Sequence, residues 1–167
     1  MKLDRYTQKA QETILAAQRL AADASSPVLD VEHLLAALLD DAEGIPVMVL
    51  RQLGADPAAV AVEVAAVLGR RAKIAGGQMG LDPRVQQLLG RAEDEARRLG
   101  DEFVSTEHLL LAASEASGEA QRLLEDVGAG HEALLRALES VRGSQRVTSA
   151  NPEGTYQSLE KYGVDLT

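Results

Sequence analysis

No cysteine stands anywhere in the 167 residues, so a disulfide framework and a thiolate metal site are both excluded. Tryptophan is absent too, and aromatics make up only 2% of the chain. The core must then be built from Ala, Leu and Val, an alphabet whose Ala and Leu favour helix and whose small side chains let helices approach closely. No apolar run nears the roughly 20 residues that a bilayer-crossing helix needs. The opening Met1-Lys2-Leu3-Asp4-Arg5 lacks the apolar stretch of a secretory signal. Walker A, GxGxxG, HExxH and GxSxG motifs are all missing, which removes the usual grounds for nucleotide binding or hydrolysis. A basic surplus is missing as well. The net charge of -9 argues against a surface built to neutralise phosphates. The local groups Arg70-Arg71-Ala72-Lys73 and Arg97-Arg98 read as solvated helix ends or linker. The expectation is a soluble, cytoplasmic protein with neither nucleic acid nor membrane as partner.

What is present is a repeat. Glu32-His33-Leu34-Leu35 returns seventy-five residues later as Glu107-His108-Leu109-Leu110. At the same offset Ala10 falls on Val85, Ile14 on Leu89, Ala17 on Ala92, Ala21 on Ala96, Val28 on Phe103 and Leu29 on Val104. Past the tetrad one residue drops out: Leu50 then matches Leu124, Gly54-Ala55 matches Gly128-Ala129, and Val60, Val64 and Val67 match Leu134, Leu138 and Val141. The agreements are mostly apolar residues and glycines, which set packing and helix ends. One helical unit is written twice.

Each copy reads as four helices. Asp4 is placed to cap the first, with Tyr6, Ala10, Ile14, Ala17 and Ala21 recurring at spacings of three and four. Asp30 caps the second, Pro46 suits the first turn of the third, and Asp56-Pro57 opens the fourth. In the second copy Asp82-Pro83 opens, Gly100 closes, Ser105 caps, Gly118 breaks, Gly128 ends the third helix and the fourth runs to about Arg142. No alternating run long enough for a strand is evident. Units of roughly 65 residues hold little core alone, so the copies should pack on each other. The predicted fold is all-α: two pseudo-twofold-related four-helix repeats packed as one eight-helix domain, followed by a linker. Its boundaries are residues 1–142 for the domain, with repeat one at 1–69, an inter-repeat linker at 70–80 and repeat two at 81–142. From Gly143 to Gly154 the letters turn polar and loop-like, a short helical segment follows from Thr155 to Tyr162, and residues 143–167 read as linker and the start of a further module.

Chemistry is sparse. His33 and His108 each fall in the first turn of a helix, where an imidazole covers the helix end; no ligand pair stands at i, i+4, so no metal site is expected. Glu32, Glu107, Asp101 and Glu102 are better explained as first-turn and loop carboxylates than as an acid–base set. Val85, Leu88, Leu89, Leu109, Leu110 and Leu111 cover wide helical arcs, so if a groove opens between the copies some of them line it.

The duplicated unit with its EHLL helices resembles the N-terminal repeat domain of Clp/Hsp-hundred chaperone ATPases. Leu3-Asp4-Arg5-Tyr6-Thr7, Gly143-Ser144-Gln145-Arg146-Val147-Thr148, Asn151-Pro152-Glu153-Gly154-Thr155-Tyr156 and Leu159 to Thr167 narrow this. They are similar to the start of ClpB-type disaggregases and to the junction with their first ATPase module. The resemblance implies a fragment without enzymatic activity or cofactor of its own, ATP and magnesium belonging to missing modules. It implies a monomeric piece of a homohexamer that works with a Hsp-seventy chaperone on unfolded or aggregated polypeptides. It implies substrate engagement at Thr7, Asp101 and Glu107, beside which the apolar Leu88, Leu89 and Leu110 stand as candidate contacts. An adaptor-docking domain of a proteolytic, ClpC-like unfoldase is the alternative. Between the two copies, the second, with Asp101 and Phe103 ahead of its tetrad, is expected to meet substrate.

Overall fold

In the computed structural model, residues 3–71, 80–81, 83–143 and 147–148 are described, the pair 80–81 by its backbone. The expected cap Asp82, the helical segment Thr155–Tyr162 and most of both predicted linkers lie outside these residues. Among the described residues eight helices form: α1 (Gln8–Asp23), α2 (Val31–Asp40), α3 (Ile45–Gln52) and α4 (Pro57–Gly69), then α5 (Pro83–Arg98), α6 (Thr106–Glu115), α7 (Glu119–Asp126) and α8 (His131–Arg142). Among the described residues, no single helix is long and apolar enough to cross a membrane.

The local signals largely act where they are written. Asp30 Oδ1 accepts the Val31 N–H at 2.7 Å, and Asp56 Oδ1 accepts the Ala58 N–H at 3.0 Å with Pro57 at the first helical position. Gly54 and Gly128 follow α3 and α7 at φ +80° and +78°, the left-handed turn that frees a helix end from a Cβ clash. One assignment needs correcting. Thr7, not Asp4, caps α1: its hydroxyl accepts the Ala10 N–H at 3.1 Å. Tyr6 lies ahead of the helix rather than in it, because the backbone from Arg5 to Thr7 is extended against Val104. The Val104 N–H donates to the Arg5 carbonyl at 2.8 Å and the Thr7 N–H to the Val104 carbonyl at 2.9 Å.

The described residues hold a second such pairing. Strands β1 (Val28–Leu29) and β2 (Gly80–Leu81) run parallel with Leu29 opposite Leu81, as Tyr6 stands opposite Val104. The repeat offset carries Tyr6 onto Leu81 and Leu29 onto Val104. The two bridges are therefore the same bridge, and in each the residues leading into one repeat pair with the other repeat. Sequence periodicity gave no sign of strands because two residues hold no alternation.

Helix packing obeys the same symmetry. The two EHLL helices α2 and α6 touch at the centre, while α3 packs on α8 and α7 on α4. Helix α1 reaches α6 and α5 reaches α2, as a twofold exchange of contacts requires. A single apolar core runs through both repeats, from Ile14, Leu34, Leu35 and Leu50 to Leu88, Leu109, Leu110 and Leu124.

Candidate functional site

The EHLL histidines make the same cap twice. The Asp30 N–H donates to His33 Nδ1 at 3.0 Å, and the Ser105 N–H to His108 Nδ1 at 2.8 Å. With Nδ1 accepting, each neutral ring carries its proton on Nε2. His33 Nε2 lies 3.3 Å from Ser26 Oγ, and His108 Nε2 lies 2.7 Å from Asp101 Oδ2. Ser26 and Asp101 are partners at the repeat offset, so one position is a hydroxyl in the first copy and a carboxylate in the second.

The carboxylate draws further groups inward. Arg142 Nη2 donates to Asp101 Oδ1 at 2.6 Å and Nη1 to Oδ2 at 3.0 Å, while Nη1 also stands 3.5 Å from Glu107 Oε2. The Ser105 hydroxyl donates to Glu107 Oε1. Past the end of α8 the Val147 N–H donates to Asp101 Oδ1 at 2.8 Å, and the Glu102 N–H donates to the Val147 carbonyl at 2.7 Å. Val147 is wholly buried, so the polar tail begins docked on this loop. Burial works against ionising Asp101, but His108, Arg142 and the Val147 N–H outweigh it and hold the carboxyl well below the usual range.

In repeat one the counterpart knot is more open. Arg71 pairs with Asp30 at 2.5 Å and with Glu32, and Arg84 reaches both Asp30 oxygens at 2.6 Å. Glu32 Oε2 also accepts the Ala120 N–H from the other repeat at 3.3 Å. Burial again opposes the Asp30 charge, and the Val31 N–H with the two guanidinium groups reverses the direction and lowers its pKa. Burial is also the main cause lowering the His33 pKa, with Arg71 adding to it against Asp30 and Glu32.

Six residues were candidates for touching substrate, and all six are buried: Thr7, Leu88, Leu89, Asp101, Glu107 and Leu110. Three of them meet at one junction. Asp101 and Glu107 share Arg142, and Thr7 joins through its backbone bond to Val104. Leu110 is packed in the core, and Leu89 is nearly so. Leu88 is the exception in kind, because it forms the floor of a cleft.

Among the described residues, two of the surface clefts are related by the repeat. The first is a shallow depression between Lys9 and Thr13 of α1, Leu38 of α2, the Asp41–Pro46 connection into α3, and Thr106 at the start of α6. The second lies between Arg84, Leu88 and Arg91 of α5 and Ala116-Ser117 and holds about 50 Å³. The offset carries Lys9 onto Arg84, Thr13 onto Leu88 and Asp41 onto Ala116. They differ in what the other repeat inserts. Thr106 reaches the first cleft, and its Oγ1 is the one buried side-chain polar atom among the described residues without a hydrogen-bond partner. The sequence signalled Thr106 only as the residue after a cap, which says nothing about its surroundings. Both are shallow depressions well short of a small-molecule pocket, which an apolar side chain could cover rather than fill.

A family-level match to the Clp repeat (R) N-terminal domain covers residues 5–127. The chain is 39% identical over 171 residues to the chaperone protein ClpB of Bacillus cereus and 39% over 173 residues to that of Nitratidesulfovibrio vulgaris, using 99% of this chain each time. It spans about a fifth of the length of these curated relatives. Among solved structures, the Hsp104 N-terminal domain from Candida albicans superposes with a TM-score of 0.80 at 20% identity, covering 90% of this chain and 99% of that one. The N-domain of ClpV from Vibrio cholerae gives 0.69 at 21% identity, covering 83% and 85%. At these identities the two structures speak to the fold alone.

Proposed function

Because the chain belongs to the Clp repeat N-terminal domain family, we propose that it recruits clients as the N-terminal part of a ClpB-type ATP-dependent disaggregase. Its task is to hold exposed apolar segments of misfolded or aggregated proteins weakly and release them to the pore of a hexamer. ATP and magnesium belong to ATPase modules outside this sequence, and a Hsp-seventy chaperone works on the same clients. The assembly operates in the cytoplasm.

The observation that carries the reading is the first cleft, apolar at Leu38, Ile45 and Pro46, rimmed by the Lys9–Asp41 pair, with an unsatisfied Thr106 hydroxyl in its wall. A peptide side chain entering it would exchange water for that floor, and a backbone or side-chain donor would satisfy the hydroxyl. The second cleft, floored by Leu88, takes a second anchor. Thr7, Asp101 and Glu107 then act as positioning residues: Thr7 starts the helix that carries Lys9 and Thr13, and the Asp101–Glu107 junction fixes the start of α6 and therefore Thr106. Leu89 and Leu110 form the apolar backing. Two anchors at about 1.5–3 kcal/mol each, less the cost of immobilising a flexible chain, give affinities on the order of micromolar to millimolar. Six tethered copies would raise the avidity without slowing release from any one.

The test is an amide NMR titration of the 15N-labelled chain with an unfolded protein or an apolar peptide. Shifts are expected along Lys9–Thr13, Asp41–Ile45 and Thr106, and Thr13→Trp, which covers the cleft from its half-buried rim, should abolish them. Silence at millimolar peptide, or binding that Thr13→Trp leaves intact, overturns the assignment.

A further inference from the structure

Three donor atoms converge where α5, α6 and the start of α8 meet. His131, the first residue of α8, places Nε2 2.7 Å from Glu95 Oε1 and 3.0 Å from Oε1 of Glu115, the last residue of α6. All three ligand atoms lie within 4.8 Å of one another. The Glu95 side chain is 5% exposed, His131 20% and Glu115 39%, so the group has a buried back wall and an open front.

We propose that Glu95, Glu115 and His131 form a zinc site in the second repeat. One imidazole nitrogen and two carboxylate oxygens on three different helices are a borderline-soft donor set that zinc accepts, and the open front leaves a fourth position for water. Tetrahedral coordination at the usual bond lengths of about 2.0–2.2 Å separates ligand atoms by roughly 3.3 Å. The present separations from Nε2 need only a fraction of an ångström of side-chain adjustment to reach that.

The neighbouring cations form only long ion pairs with these oxygens. Arg98 Nη1 is 3.6 Å from Glu95 Oε1 and Arg91 Nη1 is 3.8 Å from Glu115 Oε2, both beyond hydrogen-bonding range. The Arg98 side chain is 69% exposed and can turn to solvent. Arg91 is anchored instead on the Glu115 carbonyl at 2.5 Å, which holds the end of α6 in place. The architecture does not demand the cluster either. The repeat carries Glu95 onto Leu20, Glu115 onto Asp40 and His131 onto Pro57, and the first copy builds the same helix junction without a donor set. The ligands come from helices far apart in sequence, so motif spacing could not expose them.

Calorimetric titration of zinc into the full chain should give one equivalent, with magnesium giving no heat, since a hard cation prefers an all-oxygen shell. Cobalt(II) in its place should show the intense visible absorption of four-coordinate geometry, and the His131 ring resonances should shift. His131→Ala and Glu115→Gln should each weaken zinc binding at least tenfold, while Glu132→Gln, at an exposed neighbour, should leave it unchanged. Circular dichroism of the metal-free variants checks that they are folded; Glu115→Gln, at a half-exposed site, serves if His131→Ala is not. Absence of zinc heat at millimolar metal, or binding that both variants retain, would show a proton-sharing ion-pair cluster only and overturn the proposal.

Discussion

Arg142 and Asp101 face each other in a bidentate pair, Nη2 to Oδ1 at 2.6 Å and Nη1 to Oδ2 at 3.0 Å, with both side chains almost wholly enclosed. A buried pair of this kind adds little when intact compared with an apolar filling, but losing one partner strands the other charge. Arg142→Met leaves Asp101 and Glu107 without their cation and should cost about 3–5 kcal/mol. Urea unfolding measures this, and a loss under about 1 kcal/mol would mean that water reaches the carboxylates. Asp101→Asn combined with Arg142→Met should recover part of the deficit.

Acid should act in two windows. The folded pKa of His33 lies below its ordinary value, so the unfolded chain takes up the proton first as pH falls past about 6.5. Stability from this group is present above that pH and is lost on the way down. Asp101 and Asp30 are also depressed, and their contribution persists until pH falls below about 4, where the unfolded carboxyls protonate. His33→Gln retains an acceptor for the Asp30 N–H and removes the titration. Its urea midpoint should change less between pH 7 and 5 than that of the parent, and equal slopes would assign the upper window elsewhere.

Much of this was legible beforehand. Caps such as Asp30 and Asp56, and the turn glycines Gly54 and Gly128, act through neighbours a few residues away, so their spacing alone announces them. Burial of Thr7, Asp101 and Glu107 was not legible, because polar letters at a helix start look alike whether water or Arg142 stands over them. A clue existed in the replacement of Ser26 by Asp101 at one repeat position, since a carboxylate there needs a cation. Val147 showed no sign of its docking within a polar stretch. Glu95, Glu115 and His131 share no local pattern.

Gly118 and Gly54 test two different reasons for glycine. A Cβ on Gly118, at φ +136°, would collide with Arg84 Nη1, the group that donates to the Ser117 carbonyl at 3.0 Å. Gly118→Ala should therefore cost about 1–3 kcal/mol, through backbone strain together with the displaced guanidinium. Gly54, at φ +80°, has open space around the same Cβ, so Gly54→Ala should show only the left-handed penalty of about 1–2 kcal/mol. Thermal unfolding compares them, and a larger loss at Gly54 would contradict the Arg84 argument.

Thr106→Val should stabilise the chain by about 1 kcal/mol, because it removes a buried hydroxyl that has no partner. The same change should weaken peptide binding in the NMR titration. Gains in both stability and affinity would mean that the hydroxyl serves neither purpose.

The crossed bridges, Tyr6 on Val104 and Leu29 on Leu81, bear on how such a fold came to exist. A single four-helix unit would present an unmatched backbone edge and an unmatched lead-in, each the complement of the other. Two identical chains would close both at once, as a twofold homodimer with exchanged arms. The duplicated chain has the geometry of that dimer joined end to end, and because the join makes the two copies separate positions in one sequence, the second can carry a carboxylate at Asp101 and a histidine at His131 where the first carries Ser26 and Pro57.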